Sequence, residues 1–272
     1  MSYRALAPAL AALIVAGSTS ALRAQAPEAP VAGARPPGKA APDRGNRRLF
    51  QRFVEDAAIT PGGWVEGQYV YENLPDGSRH FAGPLLSFKV VKDLEAGMRF
   101  GFLHLRPDAG PSESGLSDVD LYAKYRLPGG RGRFAIGGLV KAATADEGKG
   151  LGTGKTDVEA FGAYRADLEA VTLVANAGLR FNGEPDPPAP SARDSILFGG
   201  AIVMPATPTV SFVVEATYES KRRVGGRDDA RLTAGLQVFG PERRGGLRGA
   251  VAFPLSDGAP DLQMLLGAFL TY

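Results

Sequence analysis

Asp118-Val119-Asp120-Leu121-Tyr122-Ala123-Lys124-Tyr125-Arg126-Leu127 alternates in polarity without a break. In an extended chain, successive side chains point to opposite faces. Val119, Leu121, Ala123, Tyr125 and Leu127 therefore share one side, and Asp118, Asp120, Tyr122, Lys124 and Arg126 share the other. Five polar groups along one face do not build a dry core. Ten residues, apolar on one side and charged on the other, suit a strand that crosses a bilayer with lipid outside and water inside.

The same pattern recurs outward from this stretch. Val171, Leu173, Ala175, Ala177, Leu179 and Phe181 oppose Thr172, Asn176 and Arg180, and Ala230, Leu232, Ala234, Leu236 and Val238 oppose Arg231, Thr233 and Gln237. Noisier versions run through 64–73, 81–91, 97–106, 134–143, 157–165, 195–204, 210–219, 246–254 and 262–272. The connections alternate in length. Lys92 to Ala96, Pro128 to Arg133, Ala166 to Ala170, Pro205 to Pro208 and Gly240 to Gly245 are tight. The segments 74–79, 107–117, 144–156, 182–194, 221–228 and 255–261 are longer or richer in Gly, Pro, Asp, Ser and Arg. Short turns on one side and longer loops on the other are the mark of a meander threaded through a membrane. The expected fold is all-β: a transmembrane antiparallel up-and-down barrel of about twelve strands over residues 61–272, with a short N-terminal helix.

The other end of the chain supplies an address. Met1 to Arg4 carry one positive charge, Ala5 to Ala16 are apolar, and Gly17-Ser18-Thr19-Ser20-Ala21 are small and polar. This is the layout of a secretory signal peptide, too short to span a bilayer as a helix. It is expected over 1–24, with cleavage after Ala21, Ala24 or Ala26. Residues 25–45 read as a Pro/Ala-rich linker without the apolar content to bury a core. Residues 46–60 read as an amphipathic helix. Leu49, Phe50, Phe53, Val54 and Ala57 recur at helical spacing, Asn46 is the N-cap, and Pro61-Gly62-Gly63 is the stop. Its expected place is inside the lumen, at the periplasmic membrane surface, or over one end of a barrel.

Composition excludes several classes. Removing 1–24 takes away Arg4 and Arg23 and no acid, leaving 29 basic and 29 acidic residues. That balance lacks the basic footprint of a nucleic-acid binder, and no nucleic-acid partner is expected. Absence of cysteine suits folding in an oxidising compartment. The 36 glycines suit inward packing in a narrow barrel. Leu262, Met264, Leu266, Ala268, Leu270 and Tyr272 alternate outward, and an aromatic end is common among bacterial outer-membrane barrels. The expected partners are outer-membrane lipid, a small-molecule solute, and the barrel assembly machinery through the strand ending at Tyr272. Trp64, Tyr69, Tyr71, Tyr125, Tyr164, Phe181, Tyr218, Phe253 and Tyr272 are candidates for interfacial girdles.

The chemistry such a barrel offers is a lined path. The inward acids are Glu66, Asp118, Asp120, Asp157, Glu159, Glu215 and Glu219, and the inward bases are Lys89, Arg99, Lys124, Arg126, Lys141, Arg165, Arg180, Arg231 and Arg248. They are expected either to compensate one another and stiffen the lumen or to form a charged constriction that selects solutes. No cofactor, metal site or catalytic residue is expected. Gly148 to Thr156 imitates a phosphate loop, but Lys149 stands where such a loop needs Gly. His80 and His104 are the only histidines. A membrane lipase pairing one of them with Ser and with Asn or Asp is the alternative enzymatic reading, and a structural barrel with a filled lumen is another.

Gly115-Leu116-Ser117-Asp118-Val119-Asp120-Leu121-Tyr122-Ala123-Lys124-Tyr125 and Gly150-Leu151-Gly152-Thr153-Gly154-Lys155-Thr156-Asp157 resemble signature segments of the outer-membrane transporters grouped as the meta-pathway phenol-degradation family. The general layout of that family covers residues 63–272. The resemblance implies an outer-membrane channel or transporter for small, aromatic or hydrophobic, molecules, and no ligand or site residue is carried over from it.

Overall fold

A computed structural model of the protein describes residues 48–51, 55–129, 133–187 and 190–272. The expected signal peptide and linker lie outside these residues. Among them are fourteen strands: β1 Gly63–Leu74, β2 Gly77–Val91, β3 Leu94–Arg99, β4 Phe102–Pro107, β5 Glu113–Leu116, β6 Val119–Arg126, β7 Arg133–Ala142, β8 Asp157–Asp167, β9 Thr172–Phe181, β10 Ser195–Pro205, β11 Val210–Glu219, β12 Asp229–Phe239, β13 Gly245–Pro254 and β14 Leu262–Thr271.

Every pairing is antiparallel. Starting from β1, the order runs through β14, β13 and so on down to β6, then β3 and β2, and β2 pairs with β1 again. The ring therefore closes on twelve strands, and the two left over, β4 and β5, continue β3 and β6 beyond short interruptions. Long β2 carries β3 on its turn-side half (Leu85↔Arg99) and β4 on its loop-side half (His80↔His104). β5 pairs with β4 (His104↔Ser114) but has no partner on its other edge among the described residues, because β7 reaches only as far as β6 (Val119↔Ala142). The loop after β7 spans that gap. Asp118, at the break between β5 and β6, accepts the backbone N–H groups of Thr144 and Ala145 at 3.0 and 2.9 Å, and Leu151 is buried.

Alternation sorts the wall as expected. On β6, Asp120, Tyr122 and Lys124 are buried while Leu121 and Tyr125 are exposed, and on β9 Thr172, Asn176 and Arg180 are buried while Leu173, Leu179 and Phe181 are exposed. Apolar side chains such as Ile136, Phe198, Ile202, Phe212, Leu266 and Leu270 form the outer surface. No helix of the described residues is long and apolar enough to cross a membrane; the strands supply the crossing.

Local departures have local causes. Pro75 and Asp76 alone join β1 to β2, so the expected loop 74–79 shrinks to a two-residue turn. Residues 113–116, expected within a loop, form β5. The turn before β3 is only Lys92 and Asp93, which moves Glu95 from turn to strand. Trp64, expected in a girdle, faces inward instead. Its ring stacks on Phe269 at 4.2 Å between centroids and 11° between planes, and Phe239 meets Phe269 edge-on at 5.4 Å. Gly97 permits a close approach: a Cβ there would lie 2.3 Å from the ring of Tyr122, its cross-strand partner on β6.

Residues 48–51 and 55–60 lie inside the barrel as irregular chain. Of the segment expected as helix, these parts lack helical structure, and 46, 47 and 52–54 lie outside the described residues. The physical reason is that wall side chains take the backbone groups that a helix would pair internally. Both oxygens of Glu215 accept from the Phe50 and Gln51 N–H groups (2.5 and 2.8 Å). Arg248 donates to the carbonyls of Arg48 and Leu49 (both 2.8 Å), Gln237 to that of Arg48 (2.6 Å), Asn176 to that of Glu55 (2.7 Å) and Lys124 to that of Asp56 (2.8 Å). Phe50 still uses its apolar face. It packs in a cluster with Leu49, Val174, Ala201, Val203, Val213 and Ala250, and its ring occupies the space above Gly235, where a Cβ would meet it at 2.3 Å.

Candidate functional site: the barrel interior

The interior has two levels. At the turn end, the inserted segment is held by charges from all around the wall. Glu95, fully buried on β3, accepts from Arg48 (2.5 Å), the Thr60 N–H (2.7 Å) and the Tyr122 hydroxyl (2.9 Å), with Lys124 Nζ 3.5 Å away. Lys124 also reaches Glu55 at 3.2 Å. Arg165 pairs with Asp56 and, at 2.7 Å, with Asp167. Arg248 binds Glu66 at 2.6 Å, and Glu66 also accepts from the Trp64 indole at 2.9 Å. Gln51 donates to Thr233 and Gln263 (2.7 and 2.8 Å), carrying the segment up to mid-barrel before it returns to Gly63.

Above this floor, a cavity of about 460 Å³ occupies the loop-side half. Part of its wall is a set of ion pairs. Glu72 joins Arg79 and Arg231, the latter at 3.1 Å, tying β1 and β2 to β12 across the lumen. Lys141 lies 3.3 Å from Asp118 and 3.0 Å from Asp157. Arg180 joins Glu159 and Glu219, and Glu219 takes Arg222 as well, at 2.6 Å. Arg99 lies over the ring of Phe81 at 4.0 Å and 3.9 Å from Asp120. Phe81, Leu103 and Leu151 form an apolar patch beside these charges, with Val70 packed against it. Outside the barrel, Lys155 and Asp186 join two loops at 2.9 Å, and that hydrogen bond raises the pKa of the lysine.

Of the residues expected to line the lumen, Glu66, Asp120, Lys124, Lys141, Asp157, Glu159, Arg165, Arg180, Glu215, Glu219 and Arg248 are buried, and Arg99, Asp118, Arg126 and Arg231 are half-buried. Arg126 sits at the turn end, paired with Asp93 at 2.6 Å. Lys89 is exposed near the end of β2 and makes no ion pair among the described residues, so it stands apart from the rest. Sequence reasoning missed Glu72 and Glu95 on the wall and Arg48, Glu55 and Asp56 on the inserted segment. Glu72 follows Glu66, Gln68 and Val70 on the inward phase of β1 and was legible there. Glu95 was hidden by an over-long turn.

Both histidines are on the outer face. His104 Nδ1 lies 2.7 Å from the Ser114 hydroxyl, and His80 Nδ1 lies 2.8 Å from that of Tyr69. Their hydrogen-bond partners are hydroxyls, where the alternative lipase reading needs Asn or Asp as the third member of its triad. Among the described residues, no group of three potential ligands gathers to hold a metal ion.

No family model matches the chain, and no curated protein matches it. Among solved structures, the COG4313 outer membrane channel from Pseudomonas putida F1 superposes with a TM-score of 0.62 at 15% identity, over 83% of this chain and 100% of that one. The KdgM porin superposes with a TM-score of 0.52 at 10% identity, over 77% of this chain and 99% of that one; it has also been solved in complex with disordered oligogalacturonate. At these identities the likeness is one of fold, and the fold of this chain is that of a twelve-stranded outer-membrane β-barrel.

Proposed function

We propose that the protein is an outer-membrane channel or transporter for small molecules, working by passage through the lumen without covalent chemistry. The observation that carries this reading is the cavity of about 460 Å³, enclosed by a closed barrel and lined by mutually compensated charges beside an apolar patch. Paired charges keep such a path wet without a strong net field, and Val70, Phe81, Leu103 and Leu151 give an aromatic or hydrophobic solute a surface to rest on. The resemblance of 115–125 and 150–157 to the meta-pathway phenol-degradation family supports the same solute class. The reading includes export behind a signal peptide over 1–24 and insertion by the barrel assembly machinery through the strand ending at Tyr272.

Reconstitution in a planar bilayer tests it. Protein shown to be folded by heat-modifiable migration on a gel is expected to give discrete conductance steps, interrupted in a concentration-dependent way by a small aromatic acid such as benzoate. Folded protein that inserts and stays silent contradicts the reading.

A further inference from the structure

The outer surface carries a polar sector that a lipid-facing wall does not need. The ladders align three outward rows across β1, β2, β4 and β5. The lowest is Tyr69, Ala82, Phe102 and Leu116; the next is Tyr71, His80, His104 and Ser114; the row nearest the loops is Asn73, Ser78 and Arg106. Successive rows are two residues apart, roughly 7 Å along the strand. The face thus changes from apolar to hydrogen-bonding within one step, the width of the boundary between acyl chains and headgroups.

Outward polar residues are concentrated on this side. At the loop-side ends of β8, β9, β10, β12 and β13 the outward residues are Val158, Phe181, Ile196, Ala230 and Phe253, and on β11 the single Tyr218 donates to Asp228 at 3.1 Å. A girdle formed only to mark the interface would continue around the barrel. Within the sector the side chains are organised: His80 and His104 stand 5.7 Å apart between ring centroids, His80 is held by the Tyr69 and Ser78 hydroxyls at 2.8 and 3.4 Å, and Ser114 holds His104 through Nδ1. Arg106, one row above, is exposed and makes no ion pair among the described residues, and the three rows contain no acid. Longer loops face outward in barrels of this kind, so the sector lies in the outer leaflet.

We infer that this sector binds the phosphate of an outer-leaflet glycolipid, with Arg106 as the charge partner and His104 as a flanking donor. A guanidinium bound to phosphate is a strong, directional contact, and a low-dielectric boundary strengthens it further. This site lies outside the barrel and is independent of what passes through the lumen.

The test is native mass spectrometry of the full protein in detergent, titrated with purified bis-phosphorylated lipid A and with the same lipid after dephosphorylation. The wild type is expected to hold the phosphorylated form. A combined His104→Ala, Arg106→Ala variant is expected to bind it about tenfold or more weakly, the loss of at least one charge-assisted hydrogen bond. Since these side chains point away from the barrel, heat-modifiable migration should be unchanged. If the combined variant fails to fold, Arg106→Ala alone should still show the loss. Equal binding of the dephosphorylated lipid, or undiminished binding by folded variants, would overturn the inference. So would release of fatty acid from the lipid by the wild type but not by Ser114→Ala, which would make the sector a hydrolase site.

Discussion

A chain lacking residues 25–60 is expected to assemble into the same barrel and to conduct several times more current than the full protein. Assembly should survive because closure of the wall does not use the segment. β1 pairs with β14 from Trp64↔Thr271 to Asn73↔Leu262, and the Gly63 N–H donates to the Tyr272 carbonyl at 2.8 Å. Most of the wall charges would also keep partners: Glu66 with Arg248, Glu95 with Lys124, and Arg165 with Asp167. Glu215 would lose both backbone donors, but into a lumen that then fills with water, where a carboxylate is well solvated. Current should rise because residues 48–51 and 55–60 form the floor of the cavity and would be gone. Single-channel recording of both chains checks this; equal conductance would mean that the segment does not obstruct the path.

The second large effect concerns Glu95. Its carboxylate serves Arg48, Lys124, Tyr122 and the Thr60 N–H at once, with no exposure to water. Glu95→Ala leaves two buried cations and a backbone donor without that partner, a change of the kind that costs about 3–5 kcal/mol. Glu215→Gln keeps an acceptor for one of its two N–H partners and is expected to cost only about 1–2 kcal/mol. Urea unfolding of each variant in the full and truncated chains separates wall from insert. Much of the Glu95→Ala penalty should vanish once Arg48 and Thr60 are removed, since the two changes share the same contacts. A penalty of the same size in both chains would show that Glu95 supports the wall alone.

How much of this was legible depended on whether the signal was periodic or tertiary. The ten residues from Asp118 read correctly because strand alternation is a property of the backbone, and lipid outside makes the apolar phase strict. β5 was not legible: Glu113-Ser114-Gly115-Leu116 is four residues long, follows Pro111, and has too little alternation to stand out from a loop. Trp64 was misplaced because an aromatic near a strand end suits the lumen as well as a girdle, and the stack with Phe269 that decides between them is a contact between opposite ends of the barrel chain. The inserted segment shows tertiary structure overriding local pattern. Leu49, Phe50 and Ala57 do recur at helical spacing and are buried, yet the backbone around them is irregular, since Glu215, Arg248, Gln237, Asn176 and Lys124 satisfy it from the wall. No pattern within residues 46–60 encodes donors and acceptors that arrive from five different strands. For the same reason the pairing of the interior charges followed from the register of the ladders, whereas their presence followed from the sequence.

Barrel and channel alike require that the apolar face of the wall meets lipid. Nitroxide labels placed one at a time at positions 120 to 125 in the reconstituted protein measure this directly, by collision with oxygen, which concentrates in acyl chains, and with a water-soluble nickel chelate. Labels at 121, 123 and 125 should respond to oxygen, while those at 120, 122 and 124 should be protected from it. The opposite phase, with 120, 122 and 124 in contact with lipid, would contradict the barrel described above and with it the channel.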